Sequence, residues 1–170
     1  FTKLDLIDDE TRLEIDKYIN YYRKIGYQVY LNTDEELKSI FKNKVTVFAG
    51  QSGAGKSTLL NSLDCSLKLD TGEVSVALGR GKHTTRHVEL IPLLDGLVAD
   101  TPGFSSLTFD GMTKEDIRDN FIEFNRYRDN CEYKDCMHHN EQKCSIKEKV
   151  IQGEIITSRY DNYIKFIAEK

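Results

Sequence analysis

Residues 50–57 read Gly50-Gln51-Ser52-Gly53-Ala54-Gly55-Lys56-Ser57, an instance of G-x-x-x-x-G-K-[ST]. An apolar run with strand character, residues 44–49, precedes it, and a helical pattern, residues 57–63, follows. A strand, a glycine-rich loop and a helix in that order form a phosphate-binding element. Small residues let successive backbone N–H groups turn inward on an anion, and the helix N-terminus adds partial positive charge. Lys56 is placed to neutralise β- and γ-phosphate oxygens and Ser57 to ligate Mg²⁺, with Gly50 through Thr58 as the phosphate-binding set.

A second motif, Asp100-Thr101-Pro102-Gly103, follows the apolar Leu97-Val98-Ala99. An aspartate ending a strand beside a phosphate loop is suited to hold Mg²⁺, directly or through water. Gly103 offers a backbone N–H to a γ-phosphate. Phe104 stands next, where Ras-like enzymes place a water-orienting glutamine, and its ring cannot do that work. Between the motifs runs Gly79-Arg80-Gly81-Lys82-His83-Thr84-Thr85-Arg86-His87. Thr84 or Thr85 can complete the Mg²⁺ shell, with Thr85 preferred, and His83 is the candidate for orienting water. The catalytic set is therefore His83, Thr85 and Lys56. Arg80, Lys82 and Arg86 make the same loop a candidate contact for RNA phosphates.

At the start of the chain stands Thr2-Lys3-Leu4-Asp5, a variant of N-K-x-D. A carboxylate at Asp5 matches the N1–H and N2–H donors of guanine, a pair adenine lacks, and so selects GTP and GDP. The Lys3 stem can pack on the purine. Thr2 in place of asparagine is a departure, although its hydroxyl can still bond to backbone. In ordinary GTPases this motif comes after the phosphate loop; here it comes first. A further guanine contact is expected near residues 31–33, where no clear S-A-K-like triplet stands.

Periodicity predicts a helix over residues 8–25 stopped by Gly26, a short strand over 27–31 and a helix near 34–41. It predicts strands over 88–92 and 97–100 around a turn at Asp95–Gly96, and an amphipathic helix over 113–127 capped by Thr113. Helices are expected over 146–151 and 159–168, and a mobile loop over 71–87. Strands alternating with helices imply an α/β fold with a mostly parallel sheet.

The chain of 170 residues has a net charge of −4, which argues against coating nucleic acid by bulk electrostatics. No stretch approaches the roughly 20 apolar residues needed to span a bilayer, so no membrane association is expected. Cys131-x4-Cys136-x-His138-x5-Cys144 supplies three thiolates and an imidazole, a complete tetrahedral set for one structural Zn²⁺. His139 is the alternative imidazole. Zinc would hold together a segment too small for a sufficient core of its own.

The order T-K-L-D, G-Q-S-G-A-G-K-S-T, G-K-H-T-T-R, D-T-P-G-F, then C-x4-C-x-H-x5-C resembles the ribosome-small-subunit-dependent GTPase A family, the circularly permuted bacterial GTPases of the YjeQ/YloQ type. The resemblance runs over essentially the whole chain. It implies a circularly permuted P-loop GTPase domain over residues 1–110 and a C-terminal zinc-binding helical domain over 111–170. It also implies an OB-fold in the family upstream of the segment matched here. The implied activity is GTP hydrolysis stimulated by the 30S subunit during its late maturation, with 16S rRNA as partner and His83 aiding hydrolysis. A monomer in the cytoplasm is expected, with guanosine tetraphosphate alarmones competing for the site. Arg126, Arg128, Lys134 and Lys143 are the RNA-facing candidates near the zinc ligands. Two other readings fit the motifs less fully: a P-loop ATPase, in which Asp5 is structural, and a zinc-stabilised RNA-binding switch with little turnover.

Overall fold

The computed structural model describes residues 1–51, 53–67, 89–100 and 108–170. Two compact units emerge: Phe1–Ile19 with Gln28–Leu107, and Asn20–Tyr27 with Thr108–Lys170. Among the described residues no helix is long and apolar enough to cross a membrane.

In the first unit, β1 (Val45–Val47), β3 (Gly96–Asp100) and β2 (Glu89–Leu93) form a sheet in the order β1-β3-β2. β1 and β3 run parallel, with Val45 opposite Leu97 and Val47 opposite Ala99, while β2 and β3 are antiparallel. The pleat sends Val98 and Leu93 to one face, where they bury against Leu60 of α2 (Lys56–Leu63) and against Leu37 and Phe41. Phe48 stacks on Phe41 with ring centroids 5.9 Å apart. The helix expected near 34–41 is a 3-10 helix over Glu35–Phe41. Residues 27–31 form no strand, which corrects the sequence reading: the Phe1 nitrogen donates to the Tyr30 carbonyl at 2.7 Å, the Phe1 carbonyl accepts from Asn32 at 3.0 Å, and the Leu31 N–H turns to the Asp34 carboxylate.

The hairpin turn falls on Leu94 and Asp95, both left-handed (φ 47° and 60°), one residue earlier than expected. That geometry matches the right-handed twist of the flanking strands. Gly96 is freed to serve another purpose. The segment 41–44 crosses there, and a Cβ on Gly96 would lie 2.1 Å from the Phe41 carbonyl oxygen and 2.8 Å from that of Lys44. Both are backbone atoms tied to the sheet, since Leu97 donates to the Lys44 carbonyl at 2.9 Å. Gly96→Ala is therefore expected to cost about 2–3 kcal/mol through forced backbone movement. Thermal unfolding should show a midpoint lower by roughly 5–10 °C, and an unchanged midpoint would refute the close approach.

Helix α1 (Asp9–Ile25) ends at Gly26 (φ 115°), as expected. In the second unit the expected helix over 113–127 is cut short. Thr113 caps α3 (Lys114–Asp119) in a capping box with Asp116, and the chain turns at Asn120, whose side-chain amide donates to the Asp116 carbonyl at 2.8 Å. Two 3-10 turns follow, Phe124–Arg126 and Arg128–Asn130. A continuous helix could not bury Phe121, Glu123 and Phe124 together, and all three are at most 5% exposed. Helices α4 (Ser145–Ile151) and α5 (Thr157–Ala168) complete this unit. Its core joins Ile117, Phe121, Phe124, Ile146, Tyr163 and Ile167 with Cys136 and Cys144.

Candidate functional site

The phosphate loop leaves the end of β1, and the neighbouring parallel strand β3 closes on Asp100. Both motifs thus emerge at the carboxyl ends of adjacent parallel strands, where open α/β sheets bind their ligands. α2 begins at Lys56, directly after Gly55. Lys56 is 9% exposed and its ammonium donates to the Gly50 and Gln51 carbonyls at 2.7 and 2.9 Å, so the lysine lies folded across its own loop. Ser57 is buried at the helix start, and Thr58 is exposed one position on.

Thr2 and Lys3 meet this loop. The Thr2 hydroxyl donates to the Ala54 carbonyl at 2.7 Å. Gly55 sits at φ 90°, and a Cβ there would lie 3.6 Å from the Thr2 hydroxyl oxygen and 3.9 Å from Cε of Lys3. Lys3 itself is left-handed (φ 63°) and leads into a 3-10 turn, Leu4–Leu6, that carries Asp5. Asp5 is exposed and has no hydrogen-bond partner among the described residues. Thr2, standing where the usual motif has asparagine, therefore ties the Thr2–Asp5 segment to the Gly50–Ser57 loop. The segment searched for a further guanine contact lies beside it, since Asn32 bonds to Phe1 and Leu31 donates its N–H to the Asp34 carboxylate at 2.8 Å. Ser52, His83, Thr84, Thr85, Gly103 and Phe104 lie outside the described residues.

In the second unit the sulfurs of Cys131, Cys136 and Cys144 and a ring nitrogen of His138 all lie within 4.8 Å of one another. His138 Nδ1 is 3.4 Å from Cys144 Sγ and 3.6 Å from Cys131 Sγ. Tetrahedral zinc with Zn–S bonds of about 2.3 Å sets its ligand atoms about 3.8 Å apart, so the cluster is compatible with one structural Zn²⁺ held through Nδ1. Burial pushes the Cys136 thiol up to about 12 and raises Cys144 as well, while it lowers the His138 imidazole to about 4. A neutral imidazole is ready to ligate; buried thiols ionise only with a cation beside them. His139 is exposed and lies outside this cluster, which takes in His138.

Sequence reasoning missed what places His138. Its φ of 57° is held by Glu141, whose carboxylate accepts from the Met137 and His139 N–H groups at 2.7 and 2.9 Å. From the other side the Tyr160 hydroxyl donates to the His138 carbonyl at 2.7 Å, and that of Tyr163 to the Met137 carbonyl. The spacing of these tyrosines in α5 carries no signal of that role.

The sequence profile of the RsgA GTPase family matches residues 1–110. The chain belongs to that family. It is 49% identical over 172 residues to the small ribosomal subunit biogenesis GTPase RsgA of Enterococcus faecalis and 48% identical over 175 residues to that of Bacillus subtilis. Each match takes in 99% of this chain, and the chain spans 58% and 59% of those relatives. Two solved structures share its fold. One, described as YloQ, a circularly permuted GTPase, has a TM-score of 0.77 at 40% identity over 99% of this chain and 54% of that one. The other, YjeQ from Thermotoga maritima, gives 0.80 at 34% identity over 99% of this chain and 57% of that one. The fold is thus the α/β, circularly permuted GTPase fold.

Proposed function

We propose that this chain binds GTP with Mg²⁺ and hydrolyses it to GDP and phosphate, as the nucleotide-handling part of a factor in small ribosomal subunit biogenesis. The observation that supports this reading is the Thr2–Ala54 hydrogen bond, which joins the T-K-L-D segment to the G-Q-S-G-A-G-K-S loop across fifty-two residues. Asp5 accepts the guanine N1–H and N2–H, and Lys3 lies along the purine. The ammonium of Lys56 exchanges the Gly50 and Gln51 carbonyls for β- and γ-phosphate oxygens. Ser57, Asp100 and Thr85 would hold a magnesium ion, directly or through water, and its charge would offset the negative charge that develops between the β- and γ-phosphates. Gly103 donates its N–H to the γ-phosphate, and His83 orients the water that attacks phosphorus as the bond to the bridging oxygen breaks. Residues 1–110 carry this chemistry; residues 111–170, with the zinc cluster, meet the 30S subunit and its 16S rRNA. The chain acts as a cytoplasmic monomer, and guanosine tetraphosphate competes with GTP because base and β-phosphate are read by the same groups.

The test is hydrolysis of GTP, with ATP as control, in the presence and absence of 30S subunits. Stimulation confined to GTP and to the subunit supports the reading, and equal turnover of ATP overturns it. Lys56→Ala should lower GTP hydrolysis on the order of 100-fold or more, the scale of losing one preorganised charge contact in phosphoryl transfer. Asp5→Ala should instead erase the preference for GTP over ATP, because its effect acts through the base.

A further inference from the structure

A cavity of about 410 Å³ opens over the zinc cluster, with Cys131, Cys136 and His138 among its walls. A single zinc ion needs a small fraction of that space. The rest is bounded by Arg118, Arg128, Tyr133 and Lys134. One carboxylate oxygen of Asp119 accepts from Arg118 Nε at 2.8 Å and from a terminal nitrogen of Arg128 at 3.0 Å, so two guanidinium groups are fixed side by side with donors remaining. Tyr133 and Lys134 lie in the loop between the ligands Cys131 and Cys136. Lys134 forms no ion pair among the described residues. Tyr133 is 51% exposed and has no ring partner among them. The opposing charge at the rim is Asp129, whose side chain is 94% exposed and 4.0 Å from Arg128 Nε.

Other cations that the sequence marks as RNA-facing are engaged elsewhere. Lys143 pairs with Glu132 at 3.2 Å and Arg126 donates to the Lys24 carbonyl at 3.1 Å. An exposed aromatic ring beside a lysine without an ion pair and an arginine that keeps further donors is an arrangement that binds single-stranded nucleic acid, the ring stacking a base and the cations meeting the backbone. The cavity volume suits a ligand of about one nucleotide, near the low end of small-molecule sites.

We propose that this cavity takes one unpaired nucleotide of RNA, its base stacked on Tyr133 and its phosphate against Lys134 and Arg128. The proposal rests on the reading of the chain as a ribosomal-subunit factor, and it names the surface and the chemistry of that contact. Because Tyr133 and Lys134 sit between two zinc ligands, the metal shapes the loop that meets RNA.

The test is fluorescence anisotropy of the zinc-loaded chain with a short labelled single-stranded RNA and, in parallel, with an abasic ribose-phosphate strand of equal length. Tyr133→Ala should weaken RNA binding about tenfold, with Tyr133→Phe restoring it, and should leave the abasic strand unaffected. Lys134→Ala should weaken both strands and lower the slope of log affinity against log salt by about 0.7. Failure of the unaltered chain to bind RNA, equal binding of the two strands, or wild-type affinity in both alanine variants would overturn the proposal. Subunit-stimulated GTP hydrolysis is measured on the same samples. If it persists while those binding results fail, the pocket assignment falls and the functional reading stands; if the unaltered chain shows no stimulation, the functional reading itself falls.

Discussion

Replacing Cys144 by alanine, or withdrawing the metal with a chelator, is expected to abolish cooperative unfolding of the C-terminal unit. Cys144 is 2% exposed and packs in one cluster with Cys136, Ile146, Tyr163 and Ile167, so the ligands are part of the core they staple. Binding of a structural zinc ion contributes about 10–16 kcal/mol in zinc-finger peptides at neutral pH. That equals or exceeds the roughly 5–15 kcal/mol by which whole domains are stable. Near-UV circular dichroism should lose the signals of the buried Phe121, Phe124 and Tyr163, and a sharp thermal transition for this unit should disappear. Persistence of both in the chelated protein would sink the structural-zinc assignment. The sign with pH follows from the ligands. Binding requires thiolates and a neutral imidazole, protons leave as the metal enters, and so metal affinity should fall as pH is lowered.

Glu123→Ala should destabilise the same unit by about 3–5 kcal/mol. Glu123 is 1% exposed and accepts two hydrogen bonds from Arg159, at 2.7 and 3.0 Å. The guanidinium also lies 4.4 Å from the Phe121 ring centroid and 5.6 Å from that of Tyr22. Burial of Arg159 works to lower its pKa, but the hydrogen bonds and charge of Glu123 outweigh it and hold the group firmly protonated. Without Glu123 a cation is left among aromatic rings with no anion to meet it. The double replacement Glu123→Leu with Arg159→Met should recover most of the loss, because it removes both desolvated charges at once. Chemical denaturation of the two single variants and the double measures the coupling directly, and additive effects would show that the pair does not act as a unit.

What was legible in the sequence was local. The phosphate loop, the stop at Gly26, the cap at Thr113 and the spacing of the zinc ligands each lie within a few residues, and each has a mechanism that neighbours alone decide. The misreadings came from tertiary packing. The apolar pattern over 113–127 fits a helix, yet the chain turns at Asn120 to bury Glu123 against Arg159, a partner thirty-six residues on. Residues 27–31 have strand composition, but the Tyr30 carbonyl meets the Phe1 nitrogen and the Leu31 N–H turns to the Asp34 carboxylate instead of joining a ladder. The choice of His138 over His139 depends on a left-handed backbone clamped by Glu141 and by hydroxyls from α5, none of which composition reveals. Arg118 reads as an ordinary solvated helix residue until Asp119 fixes it beside Arg128.

The bond between Thr2 and Ala54 spans fifty-two residues of chain. Synthesis runs from the N-terminus, so Thr2 is made before its partner. Every residue up to Ala54 must follow before the bond can close. Closure over that span belongs to the slow, non-local events of folding. The contact therefore forms only after residue 54 has been made, and the ordering of the segment around Thr2 waits on the loop that follows it.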